Sequence, residues 1–598
     1  MEIHSIDLGI IILYILATIF IGFYISKRAS KNLDSYFLGD KSMPWYVLGI
    51  SNASGMFDIT GTMWLVYLCF VYGMKSAWIP WVWPTFNQIF LMVYLSIWLR
   101  RSNVLTGAEW ITFRFGDGKG GKLAHISVVL FALVSVIGFL AYAFEGIGKF
   151  TTTFLPWDLS ANTYALIFMG ITTIYVVSGG MFSVVFTEVL QFTIMTIASI
   201  AVGIIAMSKV SPEMLAKVIP EGWKNIFFGW ELNLDWSRIM NSVNDKIFTD
   251  EYSLFTIFFM MVLFKGILVS VAGPAPNYDM QRILATRNPR EAGLMSAFVN
   301  VALIFPRYFL ITGLTVLALV FFSPQLNAMG ADIDFEMVLP YAIKNFMPVG
   351  LMGILLAGLI SAFMSTFAAT VNAAPAYIVN DIYKKYINPG ASNKKYVKMS
   401  YLASIAVVAI GIGFGFIVES INDITLWIVS SLWGGYAAAN VLKWHWWRFN
   451  GFGYFWGMIS GLAASLAIPK ILPSYTALEG FPIILIISLI GCFLATLLTK
   501  PDDMDVLKAF YQRVRPWGFW KPVHDLLLVD NPEFKRNKNF RRDCFNVFIG
   551  LIWQISLVAI PMYLVIKEMY WFAGVLAIAL ITTYILKKNW YDKLEKEV

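Results

Sequence analysis

Cysteine and histidine are scarce in this chain of 598 residues, which contains three cysteines and four histidines. Cys69, Cys492 and Cys544 lie far apart and form no C-x-x-C pair, which excludes a disulfide framework and a zinc site of the Cys/His type. Charge is scarce too: 14% of the residues are charged, whereas soluble globular proteins contain about 25%. The composition therefore excludes a soluble globular protein.

Motifs of ATP hydrolysis and of soluble enzyme chemistry are missing as well. The sequence contains no G-x-x-x-x-G-K-[ST], no G-x-S-x-G and no H-E-x-x-H. The segment GDGKGG (116–121) formally contains G-x-G-x-x-G, but no strand precedes it, and we interpret it as a flexible cytoplasmic loop. We therefore expect that the protein is not an enzyme and holds no organic cofactor.

What the chain has instead is long apolar sequence, since 58% of its residues are hydrophobic. An apolar window of about 17–25 residues is long enough to cross a bilayer as a helix. Fifteen such windows lie near 6–25, 45–71, 77–98, 124–150, 162–178, 186–209, 252–276, 293–322, 343–379, 400–419, 424–443, 452–472, 480–499, 544–566 and 569–587. The sequence thus predicts an all-α polytopic membrane protein.

Loop charge predicts the side of the membrane on which each connection lies. Basic connections occur at 26–41, 99–122, 282–290, 384–398, 443–448, 500–543 and after Lys587, whereas 210–251, 323–342 and 420–423 are acidic or neutral. The positive-inside rule then puts the N-terminus outside and the C-terminus in the cytoplasm. The net charge of +8 belongs to these loops and gives no reason to expect nucleic-acid binding.

Two predicted spans are interrupted. GISNASGMFDITG (49–61) places polar residues and glycine inside the second span, and VAGPAPNYDMQR (271–282) places two prolines in the seventh. Discontinuous helices at corresponding positions of two halves indicate a transporter with a binding site near the midplane. The two interrupted spans each open a block of five helices, and because five is odd the second block must be inverted.

These observations divide the chain into consecutive parts. The predicted parts are the first helix and its cytoplasmic link (1–43), the first five-helix repeat (44–210), an extracellular loop (211–251), the second, inverted repeat (252–448), two peripheral helices (449–499), a cytoplasmic loop (500–543) and two C-terminal helices with a tail (544–598). The N-terminus lacks a basic region and a cleavage site, so we interpret the first helix as retained.

Ionisable residues inside the spans are functional candidates, because charge is costly in hydrocarbon. The five are Asp58, Glu145, Glu188, Lys265 and Arg307. We expect Arg307 to have a structural or snorkelling role. Asp58 and Lys265 lie close to the two interruptions, and we hypothesise that they neutralise each other.

A stripe of small and polar residues runs along the predicted helix within 355–383. Its polar members are Ser361, Ser365, Thr366 and Asn372. Such stripes usually mark close contact with another helix, and that remains the simpler interpretation. Alternatively, a carbonyl of Ala362 and the hydroxyls of Ser365 and Thr366 offer oxygens to a small hard cation, if other helices supply the remaining ligands.

Five segments, in the same order, resemble the sodium:solute symporter family. They are DSYFLGDKSMPWYVLGIS (34–51), SNASG (51–55), NVLTGAEWITFRFG (103–116), SGGMFSVVFTEVLQ (178–191) and SAFMSTFAATVNAAPAYIVNDIY (361–383). The last is similar to the family's A-x-x-S-[ST]…N…D-[IV]-Y signature. The resemblance implies a leucine-transporter-like fold with an inverted five-plus-five repeat, one preceding helix and about four following helices.

The resemblance also implies a sodium ion between the eighth core helix and the first broken helix, whose unwound stretch at 50–55 leaves backbone carbonyls free. Carried over residue by residue, its ligands are the carbonyls of Ile50, Ala53 and Ala362 and the hydroxyls of Ser365 and Thr366. Neutral oxygens suit a monovalent ion, whereas a divalent ion takes carboxylates. Glu188 matches an acidic residue on the inward ion pathway. Ala368 and Ala369 replace hydroxyls that hold a second sodium in some members, which favours a single ion.

The solute contacts implied by the same resemblance lie on three helices. They are Asn52, Ser54 and Phe57 on the first core helix, Asn87 and Gln88 on the second, and Glu145 on the third. A negative group at Glu145 argues against a carboxylated solute.

The sequence therefore predicts a sodium-coupled symporter in a plasma membrane or bacterial inner membrane. Its expected partners are sodium, a small polar solute and the lipid bilayer, with a sugar or polyol as the favoured solute. One alternative is coupling to protons through Asp58 or Glu188, and another is an amino acid, organic acid or vitamin as the solute. A membrane sensor or channel on the same scaffold is the remote alternative.

Overall fold

The computed structural model of the protein describes residues 3–29, 32–82, 87–227, 234–250, 265–276, 278–330, 333–417, 421, 428, 433–475 and 477–595. Within these residues the regular structure is helical, and the one pair of residues in β-pairing, Trp446 and Phe519, forms an isolated bridge. The prediction of an all-α fold is confirmed.

The described helices follow one another along the chain in this order. In the first half they are α1 (Ser5–Ala29), α2 (Leu33–Leu38), α3 (Trp45–Met56), α4 (Ile59–Tyr72), α5 (87–102), α6 (Gly107–Phe115), α7 (Lys119–Phe154), α8 (Ala161–Lys209), α9 (Pro212–Ala216), α10 (Asn241–Asp250), α11 (265–272) and α12 (Tyr278–Ala285). In the second half they are α13 (Pro289–Met329), α14 (Val338–Phe346), α15 (Leu351–Ile378), α16 (Asn393–Gly415), α17 (Trp433–His445), α18 (Gly451–Ile471), α19 (Ala477–Leu498), α20 (Met504–Val514), α21 (Lys521–Asp530), α22 (Phe540–Val565) and α23 (Met569–Asn589).

Ten of the described helical segments are long and apolar enough to cross a membrane, and the bent pair of α3 and α4 makes eleven if it counts as one span. The protein is therefore an integral, multi-pass membrane protein. The count of fifteen spans stays a prediction, because much of 252–276 and 424–443 lies outside the described residues.

α8 contains the fifth and sixth of the apolar windows, 162–178 and 186–209. Between them Gly180 has φ 54° and ψ −159°, which breaks the helix direction inside α8. A glycine suits this position because its missing Cβ removes the steric penalty at positive φ. The structure thus separates the two predicted spans at Gly180.

The first helix break is present, but it lies later in the chain than predicted. α3 continues through 50–55 to Met56, and Phe57 leaves the helical region with φ −91° and ψ 67°. Asp58 then caps α4, and its carboxylate accepts the backbone N–H of Gly61 at 2.6 Å. The segment SNASG contains no proline that would stop the helix earlier. The prediction of an unwound stretch at 50–55 is therefore wrong.

The second helix break is confirmed. α11 ends at residue 272, and Gly273 has φ +90° before α12 begins. The break leaves backbone carbonyls without helical partners, and α17 supplies donors to them. The indole of Trp444 donates to the carbonyl of Ala272 at 3.0 Å, and the hydroxyl of Tyr436 donates to that of Pro274 at 3.2 Å. The interruption is thus a fixed feature of the core.

The predicted cytoplasmic loop 500–543 packs onto the helical core at Arg114. This fully buried side chain on α6 donates to the carbonyl oxygens that follow α17, including Phe449 at 3.2 Å. Its guanidinium also lies 5.2 Å from the ring centre of Phe510 and 4.8 Å from that of Trp520, both in the loop. The loop is therefore anchored to the membrane-spanning part.

Candidate functional site

The polar stripe of α15 faces the C-terminal turn of α3. The hydroxyl of Ser365 donates to that of Ser54 at 2.9 Å, and the hydroxyl of Thr366 donates to the carbonyl of Gly55 at 2.8 Å. Thr366 also lies 3.2 Å from the carbonyl oxygen of Ala362 on its own helix. All of these residues are buried. The stripe and the end of α3 thus bring several neutral oxygens together in a site that excludes bulk water.

The chemistry of this cluster limits the ions that it can hold. The hydroxyl and carbonyl oxygens of the cluster are neutral, and neutral oxygens suit a monovalent hard cation better than a divalent one. No group of three or more His, Cys, Asp or Glu side chains that could hold a metal ion was found in the described part of the chain. The cluster is therefore the best candidate for a sodium site among the described residues.

The predicted sodium ligands separate into two groups. Ala362, Ser365 and Thr366 lie together on α15, as the sequence predicts. Ile50 and Ala53 lie inside continuous helix, and the carbonyl of Ala53 accepts the backbone N–H of Phe57 at 3.0 Å. The expected reason for their availability, an unwound backbone, is absent here, and a ligand role for these two carbonyls stays a prediction.

A buried ion pair lies directly beside the stripe. Nη2 of Arg282 on α12 donates to both carboxylate oxygens of Glu188 on α8, at 2.8 and 2.9 Å, and both side chains are fully buried. Nε of Arg282 donates to the hydroxyl of Ser51 at 3.0 Å, and Ser51 also bonds to Glu188. The hydroxyl of Ser365 lies 3.4 Å from the same carboxylate. The pair therefore connects α3, α8, α12 and α15.

Arg282 is missing from the predicted site because it falls in the connection 282–290, which is predicted to be a basic cytoplasmic loop. In the structure the helix after the second break extends from Tyr278 to Ala285, so Arg282 lies inside the protein. The prediction that Arg282 is a loop charge is wrong. The signal that could identify Arg282 is its position shortly after the second helix break. A further signal is that the predicted intramembrane carboxylate of Glu188 has no predicted cation partner.

A second polar cluster joins α3, α5 and α12. The amide nitrogens of Asn52 and Gln88 donate to the same carboxylate oxygen of Asp279, at 2.7 and 3.2 Å. All three side chains are buried. The structure thus brings together two predicted solute residues, and Asp279 is the member that the prediction lacks. An acidic residue just after a proline-broken span is the sequence signal that points to it.

Two amide oxygens at this cluster, and a third on the residue before Gln88 in the chain, accept no hydrogen bond from the described residues. They belong to the buried side chains of Asn52, Asn87 and Gln88. An unsatisfied buried acceptor costs about 1–3 kcal/mol, so such groups in a protein interior call for an explanation. The amide oxygens of Asn52 and Gln88, whose amide nitrogens bind the carboxylate of Asp279, are acceptors suited to a solute that donates several hydrogen bonds.

A small cavity of about 40 Å³ lies beside the first helix break. Among its lining residues, Nη2 of Arg307 on α13 lies 3.1 Å from the carboxylate of Asp58, and the hydroxyl of Tyr142 on α7 donates to that carboxylate at 2.6 Å. Arg307 also donates to the carbonyl of Met56, the last residue of α3. The ion pair therefore holds the break together and closes the cavity on one side.

Asp58 pairs with Arg307 and not with Lys265, so the hypothesis of an Asp58–Lys265 pair is wrong. The ammonium group of Lys265 on α11 lies 5.8 Å from the ring centre of Phe481 on α19. By charge alone, either Lys265 or Arg307 could pair with the carboxylate of Asp58. The rotation of the helices about their axes determines which of the two cations lies beside it. The expected structural role of Arg307 agrees with this ion pair.

Glu145 lies outside both polar clusters. Its carboxylate is 3.3 Å from Nζ of Lys149, one turn further along α7, and Lys149 also pairs with Glu336 at 2.8 Å and with Asp334 at 3.6 Å. Glu145 is not among the residues that line the cavity at the first break. A solute contact at Glu145 stays a prediction. The expectation that its negative charge disfavours a carboxylated solute stays a prediction too.

The Asp58–Arg307 pair predicts a specific coupling between two substitutions. Asp58→Asn should destabilise the protein by about 1–3 kcal/mol, because it leaves Arg307 nearly buried without its carboxylate partner. Adding Arg307→Gln should restore part of that loss. Thermal unfolding of the detergent-solubilised variants measures the coupling energy in a double-mutant cycle.

The cycle of Asp58→Asn with Lys265→Met is the matched control for that experiment. It removes the other cation that the sequence offers to Asp58, and its effects should be additive within about 0.5 kcal/mol. Coupling in the Lys265 cycle and none in the Arg307 cycle would contradict the observed pairing.

Comparison with known families places this geometry in context. The sequence model of the "Sodium:solute symporter family" matches residues 36–461. The chain is 24% identical over 497 residues to sodium/glucose cotransporter 4 of Danio rerio, which covers 77% of the chain and 71% of that relative. It is also 24% identical over 498 residues to sodium/myo-inositol cotransporter 2 of Homo sapiens, which covers 77% of the chain and 69% of that relative.

The fold has a counterpart among solved structures. The structure of a Na⁺-coupled sialic acid symporter in a substrate-bound, outward-open state is similar with a TM-score of 0.68. The match covers 84% of the chain and 99% of the other protein at 17% sequence identity. At this identity the likeness shows a shared fold.

Proposed function

Because the chain belongs to the sodium:solute symporter family, whose leucine-transporter-like fold it shares, we propose that it couples sodium to the uptake of a sugar or polyol. The relatives named for glucose and for myo-inositol support this class of solute. The observation that carries the proposal is the pair of amide oxygens of Asn52 and Gln88 beside Asp279, which accept no hydrogen bond from the described residues. A polyhydroxylated solute supplies several hydroxyl donors to such a set of acceptors.

Sodium is proposed to bind where α15 meets α3, with the hydroxyls of Ser365 and Thr366 as ligands. Support comes from the short contacts of these hydroxyls with Ser54 and Gly55, which a cation could replace without bringing water into the site. The carbonyls of Ile50, Ala53 and Ala362 complete the proposed ligand set. Sodium binding draws on the ion gradient and on the membrane potential, which contributes about 2.3 kcal/mol per charge per 100 mV.

The solute requires a more open conformation than the one described here. Asn52, Gln88 and Asp279 do not line the cavity of about 40 Å³ beside the first break, and that cavity has room for only a few water molecules. Opening is proposed to separate the two repeats around the clusters on α3, α12 and α15. If sodium favours the outward-open state, it raises solute affinity, and by linkage the solute raises sodium affinity by the same factor.

A thermal-shift screen followed by uptake measurements tests this function. The purified protein is heated with hexoses, myo-inositol, amino acids or carboxylic acids, each with sodium and with potassium in its place. We expect a hexose or polyol to stabilise the protein in sodium only, and a sodium gradient to drive its uptake into proteoliposomes. Stabilisation by an amino acid or carboxylic acid alone would contradict the solute class, and uptake driven by a pH gradient without sodium would contradict the coupling ion.

Asp279→Asn tests the solute cluster. The substitution keeps the size of the side chain but removes charge-assisted hydrogen bonds, which contribute about 1.5–3 kcal/mol each. We expect KM for the solute to rise about tenfold or more, with a smaller change in the sodium concentration for half-maximal uptake. Asp381→Asn, at a buried carboxylate that faces His125 at 3.3 Å, is the control and should leave KM unchanged. An unchanged KM in the Asp279 variant would remove this residue from the site.

A further inference from the structure

Two cavities meet at Trp590, between the N-terminal end of α13 and the C-terminal helices α22 and α23. One cavity has a volume of about 250 Å³ and is lined by basic residues, among them Arg290 and Lys593. The other has a volume of about 370 Å³ and is lined almost entirely by apolar side chains, among them Phe298 and Trp553. Trp590 lines both and is fixed there, since its indole donates to the carbonyl of Met92 at 3.1 Å. The two cavities therefore adjoin at Trp590, and we refer to them together as an amphipathic crevice.

The basic part of the crevice has more positive than negative charge. Of its four cations, Arg101 pairs with Glu595 at 2.7 Å and Arg542 pairs with Asp543 at 3.3 Å. Within the described chain, Arg290 and Lys593 have no ion pair, and neither does Lys587 on the rim of the apolar part. Arg290 and Lys593 thus line the basic part, and Lys587 the apolar part, without a carboxylate partner among the described residues.

The position of Arg290 adds to this preference for an anion. Arg290 lies in the first turn of α13, where the N-terminal backbone N–H groups carry partial positive charge. Its guanidinium lies 5.8 Å from the ring centre of Tyr591, a contact that holds it beside the junction. The basic connections that the sequence assigns to the cytoplasmic face therefore converge at this point.

The apolar part of the crevice opens toward the lipid side of the helices. Val301 on α13 is 46% exposed, although it lies in a membrane-spanning helix, and Trp45 and Phe298 form an edge-to-face pair beside it. In a bilayer such exposed apolar side chains face acyl chains. The crevice is thus accessible to a lipid tail.

We propose that this crevice binds one anionic phospholipid. Its phosphate group lies between Arg290, Lys587 and Lys593, and an acyl chain lies along Phe298, Val301 and Trp553. Basic pockets between membrane-spanning helices on the cytoplasmic side are a recurrent way of binding such headgroups. Because the basic and apolar parts share Trp590 in their linings, a lipid is favoured over a soluble phosphate, which would leave the apolar part empty.

Lipid binding to the purified full-length protein tests the proposal. The detergent-solubilised protein is titrated with dioleoyl-phosphatidylglycerol or with zwitterionic dioleoyl-phosphatidylcholine, and bound lipid is quantified by native mass spectrometry. We expect the anionic lipid to bind about tenfold tighter or more. Arg290→Gln/Lys593→Gln should lower its affinity by about thirtyfold, because each cation near an anionic headgroup contributes on the order of 1 kcal/mol. Lys394→Gln/Lys395→Gln removes the same charge from an exposed site elsewhere and should change nothing.

A second variant tests the apolar part with the charges intact. Val301→Trp fills the crevice from the lipid side and should weaken binding of the anionic lipid about tenfold or more, while the folded state is checked by thermal unfolding. Glycerol 3-phosphate should not displace the lipid at equal concentration. Equal affinity for both lipids, unchanged binding in the Arg290/Lys593 variant, or displacement by glycerol 3-phosphate would each overturn the proposal.

Discussion

Arg282→Gln is expected to destabilise the protein by about 3–5 kcal/mol, because it leaves the carboxylate of Glu188 fully buried without its cation. The hydroxyls of Ser51 and Ser365 remain beside that carboxylate, but two hydroxyl groups do not replace a guanidinium that donates to both oxygens. The loss should appear as a lower midpoint of thermal unfolding in detergent, independent of sodium and solute.

Removing both charges should restore much of that stability. Glu188→Gln/Arg282→Gln leaves two neutral groups of similar size, and neutral replacements of a buried ion pair are often close to neutral in stability. The double-mutant cycle should therefore give a coupling energy of about 2 kcal/mol or more.

The exposed pair of Lys521 and Asp525 is the matched control for that cycle. Its side chains lie at 2.8 Å in a helical i, i+4 arrangement and are 77% and 51% exposed. The same cycle, with Lys521→Gln and Asp525→Asn, should give less than about 1 kcal/mol. If the two pairs give equal coupling energies, burial of the Glu188–Arg282 pair is not what stabilises this part of the protein.

The position of the pair adds a functional expectation to the structural one. The positive guanidinium of Arg282 pairs with the carboxylate of Glu188, and that carboxylate lies 3.4 Å from the Ser365 hydroxyl. A cation at the proposed sodium site would therefore interact electrostatically with both the carboxylate and the guanidinium. In the double variant, which lacks both charges, sodium activation of uptake should shift while the protein stays folded, and this shift separates an electrostatic role from a purely structural one.

Much of the fold follows from sequence patterns that have a direct physical meaning. Apolar windows of membrane-spanning length give the helices, and the prolines of the second break fix its place, since proline cannot continue a helix. The first break has no proline, and Asp58 marks it through the cap at Gly61. A side-chain cap is a weaker sequence signal than a proline, which explains why the predicted break lies too early.

The site was only partly predictable, because its decisive contacts join distant parts of the chain. Asn52 and Gln88 are predicted solute residues, but Asp279, which binds both, is 227 positions from Asn52. Arg282 and Glu188 are 94 positions apart. The choice between Lys265 and Arg307 as the partner of Asp58 depends on the rotation of whole helices. No local pattern encodes that rotation, so residue types were easier to predict than pairs.

Thr366→Val should weaken the sodium dependence of uptake more than any other change on α15. Valine keeps the shape of threonine but lacks the hydroxyl, which donates to the carbonyl of Gly55 at 2.8 Å and is a proposed sodium ligand. One oxygen ligand of a cation contributes on the order of 1.5–3 kcal/mol. The sodium concentration for half-maximal uptake should therefore rise about tenfold to a hundredfold. Ser365→Ala should act in the same direction.

Thr370→Val provides the control on the same helix. Thr370 is also buried, but its hydroxyl donates to the backbone carbonyl of Thr366, one turn earlier, and it is outside the proposed ligand set. Its replacement removes an identical group and should leave sodium activation unchanged. Sodium activation should be measured as initial uptake into proteoliposomes at saturating solute, with thermal unfolding as the test of folding. If sodium activates uptake by the Thr366→Val and Ser365→Ala variants as it activates uptake by the unmodified protein, the proposal is wrong. The stripe on α15 then serves helix packing, and the ion binds elsewhere.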